Sequence, residues 1–136
     1  MDTLTKERRS WLMSHVKSKD TTPELLVRSL LHRNGFRFRL HVKTLPGTPD
    51  IVLPKYKTII DVRGCYWHRH QNCHLATTPS SNVAFWNMKF QKNIIRDKKN
   101  DALLYAAGWN VIILWQCQIN DIDTIVLQPL KKLKKL

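Results

Sequence analysis

The fourteen residues "DVRGCYWHRHQNCH", positions 61–74, hold three histidines, two cysteines, two arginines and two large aromatics. A packed core has no use for that mixture, so the question is what chemistry it serves. Zinc takes four Cys or His ligands in a tetrahedron, and a structural site fills all four. Cys65-x4-His70-x2-Cys73 offers three at loop-compatible spacing, and the one remaining cysteine, Cys117, follows the apolar run "WNVIILW". If that run is a strand lying beside the strand that ends at Gly64, Cys117 arrives as the fourth ligand and no thiol is left over. His68 and His74 remain alternatives to His70. A filled site has no open position for substrate, so this zinc staples a loop to a small fold and does not catalyse. The bland reading, three small core cysteines, leaves a histidine between two of them without a reason. His68 is then spare, and an extended loop would turn it to the same side as Tyr66 and His70.

A second constellation gives His68 a use. "PGTPDIVLP" followed by "YKTIIDVRGC" sets Pro49-Asp50 at the head of one strand and Asp61-Val62-Arg63 at the end of the next. This acid-then-acid-x-base layout resembles the broad PD-(D/E)xK nuclease class. An aspartate at a strand end holds Mg²⁺ through oxygen, and such a cation activates water and neutralises charge on a scissile phosphate. Pro-Asp alone is a common turn. Here its weight comes from the strand behind it and the basic chain around it.

These groups need elements to carry them. "LTKERRSWLMSHVKSKD" reads as a basic amphipathic helix with Leu4, Trp11, Leu12 and Val16 as its apolar contacts. In "TTPELLVRSLLHRNG", Thr22 is the expected N-cap, Pro23 the first helical residue, Glu24 a first-turn acid and Gly35 the stop. "FRFRLH" alternates, with Phe36, Phe38 and Leu40 on one face, and reads as a strand. "DIVLP" and "YKTIIDV" read as a strand pair joined near Pro54-Lys55. "VAFWNMKFQKNIIRDKKNDALLYAAG" is a long helix, begun by Ser81 or Asn82 and closed by Gly108. "WNVIILW" is a buried strand. Residues 119–136 read as a terminal helix that Pro129 bends or restarts. On the long helix, 100° per residue puts Trp86, Asn93 and Asp97 within about 40° of one another. An indole, an amide and a carboxylate make a poor buried stripe and a good wall for an active site. From it, Asp97 could accept the N–H of His68 and set its tautomer.

The chain has 136 residues, which fits one domain spanning 1–136, and 43% are hydrophobic, enough for a real core. Its 23 Lys plus Arg against 10 Asp plus Glu give +13. The four lysines of the terminal "KKLKKL" account for only part of that excess, so the domain itself faces a polyanion, most simply nucleic acid. Three cysteines cannot all pair, nothing resembles a signal peptide, and no apolar run reaches the roughly 20 residues of a membrane span. The expectation is a cytoplasmic, reduced protein, in which clustered Cys and His point to metal, without a membrane partner.

Five segments together resemble one family, the very-short-patch repair (Vsr) mismatch endonucleases: "MSHVKSKDTTPE", "LPGTPDIVLPKY", "GCYWHRH" with its following cysteine, "FWNMKFQKNIIRDKKN" and "GWNVIILWQC". They occur in order and span roughly residues 8 to 118. The resemblance implies an α/β fold, a small mixed β-sheet flanked by helices in restriction-endonuclease-like α/β/α layers. It implies Mg²⁺-dependent nicking of double-stranded DNA beside a thymine mispaired with guanine, by phosphodiester hydrolysis. By it, Asp50 is the metal-binding aspartate and the backbone carbonyl of Val62 is a second metal contact. His68 is the general base, Asp97 orients it, and Cys65, His70, Cys73 and Cys117 are the ligands of one structural zinc. Tyr66, Trp67 and Trp86 form a wedge that enters the base stack, Met13 approaches the minor groove from the basic N-terminal segment 1–20, and Asn93 joins the DNA-contacting residues. Glu24 and Asp61 are candidates to stand behind the metal ligands; Asp61 shares a strand face with Arg63, so it could instead pair with that arginine or join the metal. The expected partner is mismatched duplex DNA, met by a monomer at the nucleoid of a bacterial or phage system, with accessory mismatch-repair proteins as further candidates.

The chain departs from the family in three places. Arg63 stands where histidine is common, Asp61 where an apolar residue is common, and one extra residue precedes Cys73. Arginine can bind a phosphate but cannot donate a proton as a general acid. Two other functions fit parts of the pattern. A restriction or defence nuclease acting on matched DNA keeps the metal chemistry without the wedge. A zinc DNA-binding protein without catalysis leaves Asp50, His68 and Asp97 idle.

Overall fold

The computed structural model describes residues 5, 7 and 20–135. The expected N-terminal helix and Met13 lie outside the described residues. Helix α1 runs Thr22–Arg33, followed by β1 (Arg39–Leu40), β2 (Ile51–Leu53), β3 (Thr58–Arg63), helix α2 (Val83–Ala106), β4 (Asn110–Trp115) and, after two tight helical turns, helix α3 (Gln128–Lys134). The strands form one sheet in the order β1-β2-β3-β4. The first three are antiparallel neighbours, and β4 runs parallel to β3. The sheet is mixed, as expected, because α2 is the crossover that a parallel partner requires. No helix among the described residues is long and apolar enough to cross a membrane.

Strand parity sorts the faces, because successive side chains point to opposite sides of a sheet. Ile51, Leu53, Ile60 and Leu114 pack with Val27 and Leu31 of α1 and Leu130 of α3 in one cluster. Val52, Ile59 and Val111 pack with Leu104 of α2 on the other face. Both faces are covered, which is why β2 is buried at all three positions. The same parity sends Asp50, Asp61 and Arg63 toward α2.

The expected Phe36–Leu40 strand face is corrected. Only Arg39 and Leu40 pair with β2, because Phe36 turns into the core against Tyr56 and His41 takes a left-handed φ of 46° that ends the strand. The N-cap position of α1 is Thr21 and not Thr22, without a side-chain capping hydrogen bond, and Pro23 lies in the first turn. Asn82 begins α2 at a left-handed φ without a side-chain cap. Gly108, at φ 87°, closes the turn after α2, a conformation that favours glycine. The C-terminal segment is not one helix. A 3-10 turn (Gln116–Asp121) and a wider five-residue turn (Asp123–Leu127) precede α3, whose first turn holds Pro129, where a missing N–H costs nothing.

Candidate functional site

Helix α2 is largely exposed; of its 24 residues only Phe90 and Leu104 are buried. Between those apolar ends the inward stripe is polar: Asn93, Asp97, Asn100 and Asp101. That stripe and the sheet ends enclose a cleft of about 520 Å³ lined by Asp50, Asp61, Arg63, His68, Asp97 and Asp101, among others. Gly47 forms part of its rim at φ 77°, where an added Cβ would stand 3.0 Å from Asn100 Nδ2. The turn therefore needs glycine twice over, for its backbone and for its closeness to α2.

At the cleft floor, the Val62 backbone N–H donates to Asp50 Oδ2 at 3.0 Å. In an extended strand a residue's C=O leaves on the same edge as its N–H. Continuing the β2–β3 register would set Pro49 opposite Val62, and proline has no N–H to offer that carbonyl. Burial, then the nearby Asp61 carboxylate, push Asp50 up to about 7. Burial likewise raises Asp61 against the opposing pull of Arg63. Two crowded carboxyls and a strand-edge carbonyl form an all-oxygen set, the donor chemistry of a hard divalent cation.

His68 Nδ1 lies 2.7 Å from Asp97 Oδ2. A carboxylate only accepts, so Nδ1 carries a proton, and in the neutral ring the free lone pair is then on Nε2. Burial alone would raise the Asp97 carboxyl, but the hydrogen bond and charge of His68, with Arg63 and Arg96, hold it below its ordinary value. Asn93 Nδ2 donates to the Trp67 carbonyl at 3.1 Å and pins the same loop to α2.

Residues 64–70 are not extended. The N–H groups of His68 and His70 turn back to the carbonyls of Gly64 and Cys65, and Arg69 sits at a left-handed φ of 54°. The expected common side for His68 and His70 is therefore corrected: His68 meets Asp97, whereas His70 stacks on Trp115 at 4.2 Å, nearly parallel. Arg69 itself went unnoticed in the sequence. It donates to the carbonyls of Tyr66, Ala76 and Thr77 and lies 4.0 Å over Phe90, tying the long loop to α2.

Cys65, His70, Cys73 and Cys117 bring their ligand atoms within 4.8 Å of one another. The register explains the meeting of the first and last. Arg63 pairs with Trp115 in the parallel ladder, so Cys65 and Cys117 each stand two residues beyond a matched pair. Cys117 Sγ lies 3.3 Å from His70 Nδ1. Burial, together with the Cys117 and Cys73 thiols, pushes Cys65 up to about 12, while the Leu75 backbone N–H draws Cys73 down. Three sulfurs and one imidazole suit a tetrahedral thiophilic cation. His74 is exposed and stands outside this group.

The aromatics gather where the loop meets the start of α2. Trp67 tilts against Trp86 at 6.2 Å, with Lys89 over both rings. Tyr66 packs edge-on to Phe90 at 5.4 Å and under Arg69, and burial raises its hydroxyl pKa, so it supports the pair from below. Glu24 is buried and takes Arg28 and His41 Nε2, each at 2.6 Å. His41 reaches the cleft and Glu24 stands one step behind it. Nothing in the sequence pattern pointed to His41. Asp101 was also missed, although it lies one helical turn beyond Asp97 on the face already marked by Trp86 and Asn93. It accepts from Arg63 Nη2 at 2.7 Å, while the same nitrogen is 3.4 Å from Asp61.

Residues 1–75 match the family described as DNA mismatch endonuclease Vsr. The chain is 48% identical over 124 residues to a type II nicking enzyme of Xanthomonas oryzae pv. oryzae, covering 91% of this chain and 90% of that one. A type II nicking enzyme of Neisseria meningitidis is 43% identical, with 88% and 85% covered. The DNA mismatch endonuclease Vsr of Escherichia coli is 38% identical, with 84% and 72% covered.

Proposed function

The chain belongs to the Vsr DNA mismatch endonuclease family and is a DNA endonuclease; from that premise we propose that it nicks double-stranded DNA beside a T·G mismatch by Mg²⁺-dependent hydrolysis of one phosphodiester bond. The observation that carries this reading is the His68–Asp97 pair at 2.7 Å, sharing one cleft with Asp50. Asp50, the Val62 carbonyl and Asp61 would hold the Mg²⁺, which supplies Lewis-acid stabilisation of the phosphate and an activated water when bound. His68 Nε2 takes the proton from the attacking water, and Asp97 keeps the imidazole in the required tautomer and steadies the charge it gains. Arg63 faces the phosphate as a fixed positive charge. Cys65, His70, Cys73 and Cys117 would hold one zinc outside the cleft, which keeps the loop bearing His68 tied to β4. The net charge of +13 supplies the sequence-independent attraction to duplex. In this reading the protein works as a monomer on DNA in the cytoplasm.

Trp67 and Trp86 account for mismatch choice. Inserting an indole beside a base pair costs a few kcal/mol of unstacking, least where pairing is already weak. The Asn93 bond to the Trp67 carbonyl supports this by holding the inserted group on a fixed backbone. The test compares single-turnover nicking of a T·G duplex with that of the matched duplex, for wild type and Trp67→Ala. Wild type should prefer T·G. Trp67→Ala should lose about tenfold or more of that preference, since 1.4 kcal/mol is a decade, while phosphate-driven affinity shifts only a few-fold. Equal loss on both duplexes would assign Trp67 to packing. Two relatives above 40% identity are named type II nicking enzymes, so a restriction-linked nicking activity is the second reading. Equal cutting of both duplexes by wild type would favour it.

A further inference from the structure

The contact between Arg63 and Asp101 joins the end of β3 to the last third of α2 and has no part in the reading above. Arg63 is nearly buried, with its side chain 9% exposed, and it is gripped at one nitrogen only. Nη2 donates to Asp101 Oδ1 at 2.7 Å and lies 3.4 Å from Asp61 Oδ2. Asp101 is therefore the principal partner, and the Asp61 contact is at the edge of hydrogen-bond range. A guanidinium has five N–H donors in a rigid plane. Among the described residues, Nε and Nη1 of Arg63 have no hydrogen-bond partner, yet neither is sealed from solvent; the one buried side-chain nitrogen or oxygen without a partner is Arg28 Nε. These free donors belong to a side chain that lines the cleft beside His68 and Asp97.

We propose that Asp101 is a positioning residue of the nicking reaction: it clamps one edge of the Arg63 guanidinium so that the opposite edge is presented to the scissile phosphate. The inference rests on the nuclease reading. An arginine on a free stem would have to be ordered in each turnover, whereas a clamped one is already placed where charge develops. The clamp also decides between the two acids near Arg63. Without Asp101, the 3.4 Å contact to Asp61 would be what remains at Nη2, and the hold from α2 would be gone.

The experiment is steady-state nicking by the full chain with its metals, for wild type, Arg63→Ala, Asp101→Ala, Asp101→Asn and the double variant Arg63→Ala with Asp101→Ala, each with a thermal melt. Arg63→Ala should lower kcat on the order of 10²- to 10³-fold, as for removal of one transition-state donor. Asp101→Ala should lower kcat by about tenfold or more with KM little changed, the mark of an interaction made in the transition state. Asp101→Asn should recover much of that loss, because its amide oxygen still accepts from Nη2. The double variant should be no worse than Arg63→Ala, because two residues acting as one unit are not additive. A normal kcat in Asp101→Ala overturns the proposal. So does a further loss on adding Asp101→Ala to the Arg63→Ala background, or a loss that follows the melting temperature and is not recovered by asparagine. A wild-type protein that nicks no duplex overturns the nuclease reading and this inference with it; wild-type nicking without the coupling overturns this inference alone.

Discussion

Asp50→Ala is expected to lower the nicking rate by about three orders of magnitude or more while duplex affinity changes only a few-fold. A bound cation contributes several kcal/mol of charge stabilisation to phosphate cleavage, and each 1.36 kcal/mol is a decade in rate. Asp50 is the carboxylate at the meeting of β2 and β3, aligned by the Val62 N–H. Affinity is carried by cations spread over the domain, not by this acid. Normal nicking by purified Asp50→Ala would remove Asp50 from the reaction. The same position is expected to gain stability when its charge is removed. Burial, then Asp61, raise the folded carboxyl from 3.8 to about 7, so the unfolded chain loses this proton at lower pH than the folded one. Ionising Asp50 without a cation then opposes folding progressively between about pH 4 and pH 7, and fully above that. Without added Mg²⁺, Asp50→Asn should therefore melt higher than wild type at pH 8, and by a smaller margin at pH 5. A margin equal at both pH values would show that the carboxyl carries no such strain.

The other large effect is expected at the cysteines, and it concerns folding. Purified protein should contain about one zinc per chain, and Cys117→Ser should lose it. Structural zinc contributes folding free energy directly. Here it would join the end of β4 to the loop at 65–73, a segment that the described structure otherwise fastens through the His68–Asp97 and Asn93–Trp67 bonds, Arg69 and the aromatic contacts with α2. A loss of about 3 kcal/mol would lower Tm on the order of 10 °C in a domain of this size. A zinc chelator should destabilise wild type by a similar amount and leave Cys117→Ser nearly unchanged. Activity should fall with stability, since His68 lies between Cys65 and His70. If metal-free wild type melts with the loaded protein, the cluster is a set of ordinary thiols.

What could be read in the chain was local or periodic. The grouping of Cys65, His70 and Cys73 follows from spacing; Cys117 could join them only on the condition that the buried apolar run lay beside β3, and the sheet order met that condition. The stripe of Trp86, Asn93 and Asp97 follows from 3.6 residues per turn, and the shared face of Asp61 and Arg63 from the alternation of a strand. The α/β class and the mixed sheet follow from the order of such patterns. The tertiary structure decided which of several eligible partners met. Arg63 had Asp61 two residues away, yet its closer contact is Asp101, 38 residues on, because α2 lies over the sheet face onto which Arg63 projects. Glu24 found His41 across a turn that no periodicity marks. Left-handed backbone at His41 and Arg69 shortened β1 and parted His68 from His70. Neither residue is a glycine, and a positive φ in such residues is imposed by packing around them and leaves little trace in residue type. Periodicity assigns a side chain to a face; the distance to a partner on another element is set only when the elements pack.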